Sequence, residues 1–254
     1  MSLSGKVAII TGGGTGIGFG VAQVLAGKGV KLAIAQPTLE VARKAVDRLE
    51  KTEAAPLTVD IGDRESIEQM VEAVMARFGR IDILVNNASV TGTSAIAPFL
   101  DCPPAKVDLI VDVNLKGTFY CSQLVARRMA ALGQGGSIVH IASVGAYAAQ
   151  EFASLYCATK AAQVSLAKSM ALELAPYNIR VNCVAPGDIY TEANATITED
   201  KGKAGASQSY VRRTPLGRRG APQDIGNAVA YLVSDEAAFV TGSTLLVDGG
   251  FLIY

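Results

Sequence analysis

The sequence predicts an α/β protein: a doubly wound parallel sheet in a single domain spanning residues 1–254. Three observations lead there. Short β-branched or apolar runs alternate along the chain with longer segments of helical period. Several of those runs are continuously apolar, as strands covered on both faces are. No linker, charge block or internal repeat divides the chain.

The first strand is expected at 6–10, where KVAII runs into a glycine-rich turn and a helix at 18–28. A second strand at 31–35 leads to a helix at 39–51, and a third at 57–59 to a helix at 64–78. In that third helix Ile67, Met70, Val71, Val74 and Met75 recur at three and four residues, and Asp63 and Ser66 offer polar caps. A strand at 83–85 precedes one long helix at 107–132. The strand at 137–142 precedes a helix at 154–175 that is apolar almost all round, and the strand at 180–184 follows. A helix at 222–234 and a strand at 245–247 close the pattern. Residues 188–220 mix Thr, Asn, Gly, Ser and charge with little period, which fits a substrate loop or a plain surface excursion.

Half of the chain is hydrophobic, enough for a substantial core. Twenty-three Lys and Arg balance 23 Asp and Glu, so a nucleic-acid or anionic membrane partner is not expected. Cys102, Cys121, Cys157 and Cys183 form no C-x-x-C pair, and with His140 the only histidine they make no metal site. MSLSGKVAIITGGG has too short an apolar run for a signal peptide, and no segment reaches the length of a membrane span. A reduced, cytoplasmic protein is the expectation.

TGGGTGIG places Gly12, Gly16 and Gly18 between strand and helix. Glycines let backbone approach a pyrophosphate, and the helix start offers N–H groups and a positive dipole end. Glycines also make ordinary tight turns. At the first strand of a parallel sheet, the nucleotide reading is favoured and the fold becomes Rossmann-like.

YCATK sets Tyr156 and Lys160 one helical turn apart, on one face. A phenol of ordinary pKa about 10 is a poor base, and a cation one turn away pulls it down. The pair therefore suits general acid/base work; alone it also fits a buried tyrosine beside a snorkelling lysine. Ser143 ends the strand SIVHIAS, at the edge of a parallel sheet where ligands gather, and its hydroxyl suits holding a substrate oxygen. His140 alternates with Ile138 and Ala142 and is expected to pack under a helix; Cys157 is expected as a small apolar filler.

TGGGTGIG, NNAS at 86–89, Asn114, Ser143, Tyr156-x-x-x-Lys160, PGDIYT at 186–191 and VTGSTLLVDGG at 240–250 follow one another as in the short-chain dehydrogenases/reductases, which the chain resembles from end to end. It looks like the short, single-domain branch; the enoyl-reductase branch spaces its Tyr and Lys more widely. The resemblance implies an NAD(P)-dependent oxidoreductase acting on a small-molecule alcohol or ketone. In it Tyr156 is the general acid/base, Lys160 tunes the phenol and holds ribose hydroxyls, and Ser143 orients the substrate. Asn114 would bend its helix and hold a water in a proton relay to the lysine.

The same resemblance implies cofactor contacts from Gly12, Thr15, Gly16, Ile17 and Gly18, from Asp60 and Ile61 at the adenine, and from Asn87 and Ala88 at the ribose. Pro186, Gly187, Ile189 and Thr191 would take the carboxamide. Ser89 stands where the family usually has glycine. Gln36 ends the second strand where an NAD enzyme would show an acid. Pro37 and Thr15 stand where an NADP enzyme would show a cation. NAD is favoured, with NADP the alternative.

The substrate pocket is expected from 94–99, 145–152 and 188–220, with Tyr147, Phe152 and Tyr190 as an apolar wall and Glu151 as a solvated helix start. The family implies a homotetramer built on the helices at 107–132 and 154–175. The alternative function is a dinucleotide-binding redox sensor without turnover, which has no need of all four catalytic residue types.

Overall fold

The computed structural model describes residues 3–50, 52–194 and 214–253. Seven strands form one sheet, all in parallel, in the order β3-β2-β1-β4-β5-β6-β7. They are β1 Val7–Thr11, β2 Lys31–Gln36, β3 Ala54–Thr58, β4 Ile83–Asn86, β5 Gly136–Ile141, β6 Ile179–Pro186 and β7 Thr244–Val247. The helices are α1 Gly16–Gly27, α2 Leu39–Asp47, α3 Arg64–Phe78, α4 Pro104–Val111, α5 Thr118–Leu132, α6 Ser154–Leu174 and α7 Pro222–Val233.

The apolar runs bury both faces of the sheet. One face carries Ile9, Leu84, Ile138 and Val181 against α3, α5 and α6. Ile10, Ile34, Val85 and Val139 pack on the other face against α1 and α7. Order reverses beside β1, which lies between β2 and β4, so a crevice opens beyond the carboxyl ends of β1 and β4.

Three elements differ from expectation. β3 runs earlier than 57–59 and contains Pro56, tolerated because β3 is an edge strand. The helix at 39–51 ends at Asp47. The helix expected at 107–132 is α4 and α5 joined by a π-helical turn, Asp112–Gly117, which carries Asn114. Its N-terminus lies farther upstream, where Pro104 takes a first-turn position that needs no N–H donor. Asp63 caps α3 by accepting from the Glu65 and Ser66 N–H groups at 3.2 Å. The Ser66 hydroxyl instead accepts from the Asp60 N–H. No described helix is long and apolar enough to cross a membrane. Of the expected substrate loop at 188–220, residues 195–213 lie outside the described residues.

Candidate active site

A cleft of about 1580 Å³ runs along the carboxyl edge of the sheet. Its floor at one end is the turn between β1 and α1. Gly12 and Gly16 have φ of +64° and +51°, and a Cβ on Gly12 would come within 2.8 Å of Asn87 Nδ2. Thr15 starts α1 without a side-chain cap, and no acid lies in the first turn. The N–H groups at this helix start therefore face the cleft with no anionic side chain before them, which fits a pyrophosphate.

The end of β4 is pinned to this turn. Asn87 Nδ2 donates to the carbonyls of Thr11 and Gly12 at 3.0 Å. Thr11 Oγ1 accepts from the Asn87 and Ala88 N–H groups at 3.1 Å. Thr15, Ile17, Gln36, Asp60, Ile61, Asn87 and Ala88 line this half of the cleft. Pro186, Gly187, Ile189 and Thr191 line it from beyond β6.

Gly18 does not line it. It is buried where a Cβ would strike the Gly12 carbonyl, so its part is the close packing of α1 on the turn. Gln36 is 9% exposed and its amide lies under Gly14. Among the described residues, Lys160 and Arg219 are the cations lining the cleft, and neither lies on the first three strands or their turns.

The other half collects Ser143, Tyr156 and Lys160. Ser143 follows β5, and Tyr156 and Lys160 lie on α6. Lys160 Nζ sits 5.6 Å from the centre of the Tyr156 ring. Burial pushes the phenol up from its ordinary pKa, and the neighbouring Ser143 and Thr91 hydroxyls pull it only part of the way back. The expected downward pull of Lys160 is not found: Lys160 is not among the groups that shift the phenol, and the phenol's net shift is upward. Burial lowers Lys160 itself to about 8, and its acceptors among the described residues are neutral. Nζ donates to Ile141 O at 2.9 Å and to Gln163 Oε1 at 3.3 Å.

Asn114 is fully buried and does not line the cleft. Its Oδ1 accepts from Val90 N at 2.7 Å and from Ser89 Oγ at 3.1 Å. Its Nδ2 donates to Val90 O and Thr159 Oγ1. Ser89, the departure from glycine, is thus a partner of Asn114. The π-turn sends the Thr118 N–H to Leu115 O, and the Asn114 carbonyl accepts instead from Thr118 Oγ1 and, at 2.7 Å, from Gln163 Nε2. The Gln163 side chain bonds both Lys160 Nζ and the Asn114 carbonyl.

His140 is buried, accepts at Nδ1 from Asn86 Nδ2 at 3.0 Å, and is lowered to about 3 by burial and by Lys160. Its Nε2 finds no partner among the described residues.

Of the expected substrate segments, Ala95, Ile96, Tyr147, Gln150, Glu151, Phe152, Asp188 and Ile189 line the cleft. Tyr190 does not; it stacks under Arg219 at 5.2 Å. Sequence reasoning missed Thr91, Gln163 and the C-terminal Phe251 and Leu252, while Arg219 falls in the expected 188–220 segment. A signal existed for Gln163: it lies three residues beyond Lys160, on the same helix face, as a polar residue in an apolar run.

Comparison with known proteins gives consistent relatives. The family model described as enoyl-(acyl carrier protein) reductase matches residues 12–252. An L-rhamnose 1-dehydrogenase (NAD(P)(+)) of Sphingomonas sp. is 37% identical over 255 residues, covering 99% of this chain and 98% of its own. A short-chain type dehydrogenase/reductase from Mycobacterium marinum superposes with a TM-score of 0.91 at 34% identity, covering 100% of this chain and 98% of its own. A 3-ketoacyl-(acyl-carrier-protein) reductase from Brucella melitensis, solved in complex with NADH, has a TM-score of 0.88 at 34% identity, with 98% and 99% covered.

Proposed function

The chain belongs to the short-chain dehydrogenase/reductase family, and on that premise we propose how its residues divide the work of an NAD(P)-dependent oxidoreductase acting on alcohols and ketones. The observation that carries the reading is one cleft holding both an anion-ready glycine turn and a phenol grouped with a serine hydroxyl and a buried lysine. The four-residue spacing of Tyr156 and Lys160 favours ketone and alcohol chemistry over that of the enoyl-reductase branch. A redox sensor without turnover is not supported, since the relatives are named dehydrogenases and reductases.

When bound, the nicotinamide supplies the hydride or accepts it. Ser143 holds the substrate oxygen, and Tyr156 donates its proton to that oxygen in reduction and takes it back in oxidation. Lys160 presents a positive charge to the phenol and its remaining N–H to the ribose hydroxyls. Asn114 fixes the π-turn and the loop at Ser89 and Val90 against α6. Gly12, Thr15, Gly16 and Ile17 receive the pyrophosphate, with Gly18 supporting them. Asp60 and Ile61 receive the adenine, Asn87 and Ala88 the ribose, and Pro186, Gly187, Ile189 and Thr191 the carboxamide. Tyr147 and Phe152 shield the reacting atoms from water.

NAD is the favoured form. Gln36 is held under Gly14, and no lysine or arginine among the described residues lines that half of the cleft. A 2′-phosphate would find no charge partner there among the described residues. The chain is further read as one domain acting as a cytoplasmic homotetramer. Support comes from the exposed Leu109, Phe119 and Leu172 on α4, α5 and α6, and from four free cysteines.

The test is a fluorescence titration with NADH and NADPH at low and moderate salt, followed by turnover on sugars, polyols and ketoacyl thioesters. Tighter NADH binding and turnover on a member of that panel are expected. Binding of neither cofactor would contradict the reading.

A further inference from the structure

We propose that Gln163 is a positioning residue of the acid–base pair: its carboxamide ties Lys160 to the Asn114 carbonyl. The inference rests on the acid–base reading of Tyr156 and Lys160 above and adds to it a residue outside the family pattern.

The geometry is complete at every polar atom of the amide. Gln163 is 1% exposed. Its Oε1 accepts from Lys160 Nζ at 3.3 Å, and its Nε2 donates to Asn114 O at 2.7 Å and to Thr118 Oγ1 at 2.9 Å. Lysine only donates and a carbonyl only accepts, so the amide has one orientation that satisfies both. The π-turn makes this possible, because the Thr118 N–H turns to Leu115 and releases the Asn114 carbonyl to side chains. No carboxylate is among these partners of Lys160. The hydrogen bond that Lys160 donates to Gln163 Oε1 therefore stabilises the charged form of a buried ammonium without neutralising it.

The amide holds the ammonium beside the phenol, so Gln163 acts on Tyr156 through Lys160 without touching substrate.

The experiment is an ultraviolet phenolate titration of the protein saturated with its oxidised cofactor. Wild type, Gln163→Met and Gln163→Ala are each blanked against the same protein carrying Tyr156→Phe. The titration reads the coupled pair. Methionine fills the space but offers the ammonium no acceptor, and the phenolate midpoint is expected to rise by about one pH unit. Alanine opens room for a water with Lys160 Nζ, Asn114 O and Thr118 Oγ1 as partners, and the midpoint is expected to return toward wild type. A mere packing role predicts the reverse, since alanine leaves the larger void. An unmoved midpoint in Gln163→Met, or an Ala variant shifted as far as the Met variant, overturns the proposal. Should Gln163→Met fail to fold, Gln163→Leu takes its place. Failure of the underlying reading is separate: it shows as full turnover by Tyr156→Phe, which the titration does not measure.

Discussion

Asp82 and Lys160 are both buried charges, 6% and 3% exposed, and the sheet sets them at opposite ends. Asp82 precedes β4 at the amino edge. It accepts from Val7 N at 2.9 Å, from Arg80 Nε at 2.8 Å and from Lys6 Nζ at 3.4 Å. Burial pushes its carboxyl up, but the Arg80 hydrogen bonds, the Val7 N–H and Lys6 together hold it below its ordinary value. Lys160 faces the cleft at the carboxyl edge and, among the described residues, donates to neutral oxygens, and burial lowers it to about 8. A charge that serves the fold is surrounded by its opposite. The one proposed to serve chemistry is left able to act on a neighbour.

That contrast breaks first if Lys160 proves structural. Lys160→Met is expected to lower turnover by about 100- to 10,000-fold while the protein stays folded; steady-state assay beside circular dichroism checks both. Asp82→Ala should do the opposite, costing about 3–5 kcal/mol in denaturant unfolding and leaving kcat/KM unchanged where the protein is folded. A drop in kcat/KM for folded Asp82→Ala would erase the division between the two ends.

The contrast sharpens with pH. Lys160 binds its proton more weakly folded than unfolded, since about 8 lies below its ordinary 10.5. Its penalty is full below about pH 8 and disappears as pH rises to about 10.5. The stability of wild type relative to Lys160→Met should therefore climb by about 3 kcal/mol across that window, read by urea unfolding at each pH. The smallest effect concerns His140. Its folded value of about 3 lies below 6.5, so stability falls as pH drops below 6.5 and the unfolded chain gains the proton. Wild type should lose about 1 kcal/mol between pH 6.5 and 5.5 that His140→Leu does not lose.

Much of this was legible in the sequence because it is written in local patterns. The glycine turn, the strand–helix alternation and the Tyr156–Lys160 spacing each lie within a few residues. Ser143, Tyr156 and Lys160 do meet in one cleft. What the sequence hid depends on contacts across the chain. Pro56 lies within a strand only because that strand is at the sheet edge. The helix at 107–132 gave no periodic sign of its π-turn, which is tied in place by Asn114 bonding residues 24 and 45 positions away. Gln163 reads as one polar residue in an apolar helix until Asn114 and Thr118 are brought beside it. Gly18 matched the motif, yet its position serves packing and not the cleft wall.

The central claim is that Tyr156 moves the proton, and the most direct measurement is turnover of Tyr156→Phe beside its NADH affinity by fluorescence. The account predicts turnover lower by about 1,000-fold with NADH binding retained, because the phenyl ring keeps the cleft wall and loses only the proton. Turnover equal to wild type on the same substrate would contradict it.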